Sequence, residues 1–226
     1  MSIKVIKGNI FTTKCNVIVN TVNTVGVMGA GIALECRLRY PEMYNRYVNL
    51  CENKKLDIGI LWLYKSTDKW LLNFPTKKHW KYPSKIEYLE SGLDKFINTY
   101  ESKGIESIAF PMLGADKGGI SISNSLNIME AKLQGLPIDI EIYKYDPTAK
   151  DDLYDTTKSW VLSRSIDEIS DLTKLRKDSA LKLVEAMKLD EIVQLNQLAK
   201  VNGIGIKALE KIFMIRNISS KQNNLF

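Results

Sequence analysis

Two stretches of this chain place glycines where backbone amides could grip an anion. The first, "NTVNTVGVMGAGIA" (residues 20–33), leaves a β-forming run and sets Gly26, Gly29 and Gly31 ahead of a helical pattern. The second, "PMLGADKGGIS" (residues 111–121), follows a strand pattern with Gly114, Gly118 and Gly119 and again precedes a helix. Glycine accepts left-handed backbone and lets a ligand approach closely, and it weakens any element it interrupts. Free N–H groups at a helix start, aligned with the helix dipole, attract phosphate. Neither stretch is a dinucleotide fingerprint, because no GxGxxG is present, nor a P-loop, because no GKS or GKT follows. Either turn alone is also what a tight strand-to-helix connection looks like. Together they could embrace a pyrophosphate from both sides.

The elements that must position these turns alternate. "IKVIKG", "CNVIVNTV", "GILWLYK", "WLLNFPT", "SIAFPML" and "IDIEIYKY" read as short strands, several apolar enough to be buried on both faces. Helical patterns lie between them at roughly 29–40, 41–54, 84–103 and 121–134, with Pro41 suited to a helix N-terminus. This alternation predicts an α/β fold whose mostly parallel sheet binds ligands at the carboxyl ends of its strands. After about residue 146 the pattern changes. Residues 147–159 are polar and charged, which suggests a linker or docking segment, and residues 160–218 carry apolar side chains at helical spacing with no strand signal. A small all-helical domain is expected there, with 219–226 as a frayed tail.

Composition narrows the class. With 226 residues, 45% of them hydrophobic, the chain can fill a real core. No run approaches the ~20 apolar residues of a membrane span, and "MSIKVIKGNIF" lacks a signal-peptide core, so a cytoplasmic protein with no membrane partner is expected. Cys15, Cys36 and Cys51 are odd in number and lack metal-ligand spacing, which implies buried thiols. The single histidine, His79, excludes sites needing several. Neither a metal nor a cofactor is expected. A net charge of +6 favours an anionic partner without specifying one.

"KGNIF", "NTVNTVGVMGAGIA", "FPTKKHW" and "IAFPMLGADKGG", in this order, resemble a macrodomain, the three-layer α/β/α module that binds ADP-ribose, over residues 1–146. Within that family the strings look most similar to DNA ADP-ribosyl glycohydrolase antitoxins of the DarG type, with the terminal ADP-ribose glycohydrolases as relatives. The resemblance implies that Asn9, beside Ile10, faces the adenine, at a position where an acidic residue is common. It implies that Asn20, Gly29, Ala30, Gly31, Ile32 and Thr76 line the ribose and phosphate, with Leu113, Gly114, Ala115, Asp116, Lys117 and Gly118 covering the other side. Asn23 would meet the distal ribose or the linked base, and His79 and Trp80 would lie near the entrance, where Trp80 either stacks on a base or covers the core.

The same resemblance assigns the chemistry to Lys77, which would reach the anomeric carbon of the distal ribose. A desolvated lysine can attack that carbon; left charged, it stabilises the leaving group. Lys77 and Lys78 also read simply as solvated charges after a strand. One departure stands out. Terminal ADP-ribose glycohydrolases pair their lysine with an aspartate at a position matched here by Gly118, and Asp116 could substitute only if the loop conformation differs.

The tail adds an independent signal. "LNQLAKVNGIGIKALEKIFMIR" (residues 195–216) resembles a helix-hairpin-helix motif, in which Gly203 and Gly205 expose backbone N–H groups to a DNA phosphate and Lys207 adds attraction. Residues 198–226 hold five basic side chains (Lys200, Lys207, Lys211, Arg216, Lys221) against one acidic, Glu210. A turn between two packed helices, or a surface for a partner protein, fits the same residues. Together the two halves predict a glycohydrolase acting on ADP-ribosylated DNA, with a cognate DNA ADP-ribosyltransferase toxin as a further partner. Hydrolysis of ADP-ribose esters on acidic protein side chains and non-catalytic reading of ADP-ribose are the alternatives.

Overall fold

The computed structural model describes residues 3–215, which divide into two compact units between Tyr145 and Asp146. The first is built on a six-stranded sheet of β1 (Ile3–Gly8), β2 (Val17–Asn23), β3 (Trp62–Lys65), β4 (Trp70–Lys77), β5 (Ser107–Pro111) and β6 (Asp139–Tyr145). Its order is β1-β6-β5-β2-β4-β3. Every neighbouring pair is parallel except β3 with β4 at one edge.

Alternation along the central strands builds two cores. Val17 and Val19 of β2 pack with Phe74, Phe110 and Ile142 under α3 (Ile86–Ile97) and α4 (Ile122–Leu133). Ile18 and Val22 face the other way, onto Met28, Cys36, Met43 and Tyr47 beneath α1 (Gly31–Arg39) and α2 (Pro41–Glu52). Successive side chains of a strand point to opposite faces, so a strand covered on both sides must be apolar throughout. The result is a three-layer α/β/α unit. Cys15, Cys36 and Cys51 are free buried thiols.

Element boundaries differ where local side chains intervene. "GILWLYK" yields a strand only from Trp62, because Asp57 caps a turn through its Oδ1 to the Ile58 N–H (2.8 Å) and its carbonyl to the Ile60 N–H (2.9 Å). The helix expected over 84–103 ends at Ile97, and a short 3₁₀ turn, Glu101–Lys103, follows.

The second unit is helical, with α5 (Tyr154–Leu162), α6 (Ile166–Thr173), α7 (Lys177–Met187) and α8 (Ile206–Phe213). Ile169, Leu183, Met187, Leu198, Leu209 and Phe213 are buried. The segment 147–159, expected as a linker or docking segment, is instead part of this unit's structure. Helix α5 starts inside it, Gln194 donates through Nε2 to the carbonyls of Asp146 and Ala149 (both 2.8 Å), and the Asp151 carboxylate accepts from the Leu195 N–H (2.6 Å). The expected tail, 219–226, lies outside the described residues, as do Arg216 and Lys221. Among the described residues no helix is long and apolar enough to cross a membrane.

Candidate active site

Both glycine turns lie at the carboxyl ends of parallel strands, one after β2 and the other after β5. In the first, Gly29, Ala30 and Gly31 are exposed and Ile32 half-buried. Ala30 is the extended cap residue of α1, no side chain caps the helix, and no acid occupies its first turn. Its leading N–H groups therefore face outward without a competing acceptor. Gly31 has φ +56° and open space where a Cβ would stand, so the position suits glycine in conformation and leaves room for a ligand.

The second turn is tighter. Gly114 has φ +65°, and a Cβ there would come within 2.8 Å of the Ile120 side chain and crowd Leu89 and Ser84. The Ile120 N–H closes the loop onto the Gly114 carbonyl (3.0 Å), and Ser84 N–H bonds the Gly118 carbonyl (2.9 Å). Asp116 sits at φ +49°, a conformation rarely adopted by non-glycine residues. Ala115, Asp116 and Lys117 present themselves at the surface, whereas Gly114 and Gly118 are enclosed.

Lys77 bridges the two regions. It ends β4, is half-buried, and donates through Nζ to the Lys117 carbonyl in the loop after β5. Because β2 lies between β4 and β5 in the sheet, this contact spans the end of β2. Burial lowers the Lys77 amine from the ordinary lysine range, and the Asp116 carboxylate opposes that shift. Asp116 thus combines a left-handed backbone with an electrostatic influence on Lys77, and no hydrogen bond joins the two side chains among the described residues.

Several residues expected to touch ligand are committed inward. Asn20 is fully enclosed, donating through Nδ2 to Asn73 Oδ1 (2.9 Å) on the paired strand, so it is a strut within the sheet. Asn23 is also buried. Its Oδ1 accepts from the Val25 and Val27 N–H groups and from the Tyr47 hydroxyl, and its Nδ2 donates to the Val27 carbonyl, so the side chain staples the glycine turn. Leu113 belongs to the core under α3 and α4, and its carbonyl accepts from Ser125. Thr76 and Ile10 are buried at the strand ends. Asn9 is 3% exposed; its Oδ1 caps the Phe11 N–H (3.0 Å) and its Nδ2 has no partner. The amide therefore keeps an unsatisfied, enclosed donor at the end of β1.

His79 and Trp80 sit in the loop after β4, with ring centroids 5.5 Å apart and planes inclined by 26°. Thr24, which the sequence did not single out, ties this loop to the first turn by donating its N–H and hydroxyl to the Lys78 carbonyl. Tyr47, whose hydroxyl also bonds the Asn23 carbonyl (2.8 Å), is equally unsignalled, because a partner 24 residues away leaves no local pattern.

In the second unit the expected hairpin has a different first half. Residues Leu195–Lys200 form a 3₁₀ turn instead of an α-helix, because Gln197 caps the Val193 and Gln194 N–H groups and tightens the chain. The side chain of Lys182 fills the space where a Cβ on Gly203 would stand. Gly205 is open, caps α8 without a side-chain acceptor, and precedes exposed Lys207.

A family model described as Macro domain matches residues 19–129. The solved macrodomain of Thermus aquaticus DarG superposes with a TM-score of 0.60 at 35% identity, covering 63% of this chain and 98% of that one. The chain belongs to the macrodomain family. The Mycobacterium tuberculosis DarG macrodomain superposes similarly (TM-score 0.61, 38% identity, 63% of this chain and 97% of that one). In sequence, the macrodomain region is 36% identical over 149 residues to a Thermus aquaticus protein named DNA ADP-ribosyl glycohydrolase, covering 64% of this chain. That match spans 41% of the relative's own length. The macrodomain carries its two glycine turns and Lys77 at one sheet edge, an arrangement able to seat a diphosphate and present an amine beside it.

Proposed function

We propose that this protein is a glycohydrolase that releases ADP-ribose from a modified DNA base. The observation that carries the reading is the half-buried Lys77 amine, held across the end of β2 onto the loop after β5, with the uncapped start of α1 following the first glycine turn. The region is similar to proteins named DNA ADP-ribosyl glycohydrolase and to a Thermosipho africanus DarTG structure in complex with ADP-ribose (TM-score 0.60, 35% identity, 64% of this chain, 41% of that one).

In this reading the start of α1 and the Ala115–Lys117 segment hold the diphosphate, and Asn9 donates to the adenine. Lys77 attacks the anomeric carbon of the distal ribose. Its lone pair forms the new C–N bond as the bond to the base breaks; the departing nitrogen takes the electron pair and is protonated by water. A second water then displaces the lysine. The lowered pKa of Lys77 favours the neutral amine this step needs. In the second unit the open start of α8 and Lys207 would contact the DNA backbone. A DNA ADP-ribosyltransferase is the proposed partner, since a Thermosipho africanus relative, 33% identical over 161 residues, is named a fusion of transferase and glycohydrolase. We place the reaction in the cytoplasm.

The test is release of ADP-ribose from a modified oligonucleotide, with binding of free ADP-ribose followed by calorimetry. Lys77→Ala is expected to keep binding and to lose at least about a hundredfold in rate, the scale of one catalytic group. An unchanged rate overturns the assignment. Faster release from ADP-ribosylated glutamate than from DNA favours an ester hydrolase instead.

A further inference from the structure

The loop between β4 and α3 carries exposed groups that the ADP-ribose site leaves unused. Its sequence from Lys78, "KHWKYPSK", contains three lysines and no acid, and Lys78, Lys81 and Lys85 are all exposed. Trp80 and Tyr82 are 49% and 65% exposed, although large rings normally find cover. The rings also form a group. His79 lies between them, 5.5 Å from Trp80 and 5.4 Å from Tyr82, and the Lys81 ammonium stands 5.1 Å from the Trp80 ring centre.

The loop is held in place at several points. The Tyr82 N–H bonds the His79 carbonyl (3.1 Å), and the Lys81 N–H bonds His79 Nδ1 (3.2 Å). Thr24 fixes its start to the first glycine turn, and the Ser84 N–H fixes its end to Gly118 in the second. These rings are therefore presented in advance, beside the mouth of the ligand site. They stand far from the adenine end, because β1 and β4 are separated by four strand spacings, about 19 Å.

We propose that this loop is a stacking platform for unmodified bases of single-stranded DNA flanking the ADP-ribosylated one. The identity of the strand rests on the glycohydrolase reading above. Exposed aromatic faces interleaved with lysines fit a strand whose bases are unpaired, since each base offers a ring face and each linkage a phosphate. A duplex hides those faces within its own stack. The platform would make the enzyme prefer modified strands over free ADP-ribose conjugates without reading sequence.

The test uses the full chain and a fluorescent, unmodified oligonucleotide. Binding should quench tryptophan emission, and the quenching should disappear in Trp80→Phe. Affinity should fall with salt at a log–log slope of about −0.7 per phosphate contacted. Tyr82→Ala and Lys81→Ala should each weaken the strand severalfold to about tenfold. Both should bind free ADP-ribose as the parent does, which also shows that they fold. The proposal is overturned if the variants bind the strand like the parent, if a duplex of the same sequence binds equally well, or if an acidic peptide of equal charge displaces the strand equally. Failure of the parent protein to bind ADP-ribose would instead sink the function proposed above, and the oligonucleotide result would still judge the platform.

Discussion

Lys77 is pulled in two directions. Burial lowers its pKa and the Asp116 carboxylate raises it, so removing the carboxylate must lower it further. If the neutral amine attacks, the rate of ADP-ribose release rises with pH until that pKa is passed. Asp116→Asn is expected to move this rising limb to lower pH in a pH–rate profile; a limb that stays put or moves upward contradicts the coupling. Individual residues are where the sequence says least. Asn23 and Asn20 have the right type and lie on the right strand, yet their amides serve Tyr47, Val27 and Asn73. Which polar group faces a ligand is decided by partners distant in sequence, and no local spacing records them. The place of Lys77 was legible because it ends an apolar strand, at the sheet edge where such folds seat ligands; its role is the proposal made above.

At the scale of elements, helix α1 has to hold its open N-terminus against the sheet. Arg39 in its last turn reaches out of the helix, its guanidinium 4.0 Å from the centre of the Phe11 ring, and is paired within the helix to Glu35 one turn earlier, at 2.7 Å with side chains 3% and 4% exposed. Glu35→Gln removes the charge that compensates Arg39 in that setting, and a loss of about 3–5 kcal/mol in urea unfolding is expected. A loss below about 1 kcal/mol would mean that Arg39 does not depend on Glu35 for its compensation. Strands and helices of the first unit were legible because a sheet covered on both faces demands continuous apolar runs, and these stand out between polar turns. The 3₁₀ turn at Leu195–Lys200 was not, since its apolar spacing is helical and only the Gln197 cap tightens it.

At the scale of the molecule, the chain combines an α/β unit with one that is helical among its described residues, dividing between Tyr145 and Asp146. If the second unit contacts DNA through α8, Lys207→Glu should lower the salt dependence of DNA binding by about one phosphate's worth and leave binding of free ADP-ribose unchanged. An unchanged salt slope would remove the helical unit from the DNA interface. The change of pattern in the sequence falls near residue 146, where the two units divide, whereas the start of α5 within 147–159 is hidden by its polar composition.

The pairing of β1 with β6 has a consequence for synthesis. Ile3 pairs with Ile140, so the first strand of this sheet to be synthesised waits for the last one. Until then an apolar strand edge and the Asn9 corner that follows it stay unassembled. At about 5–20 residues per second that delay lasts roughly 7–28 s. Ligand-binding competence should therefore appear late and all at once on the nascent chain, after the sheet's final strand has emerged.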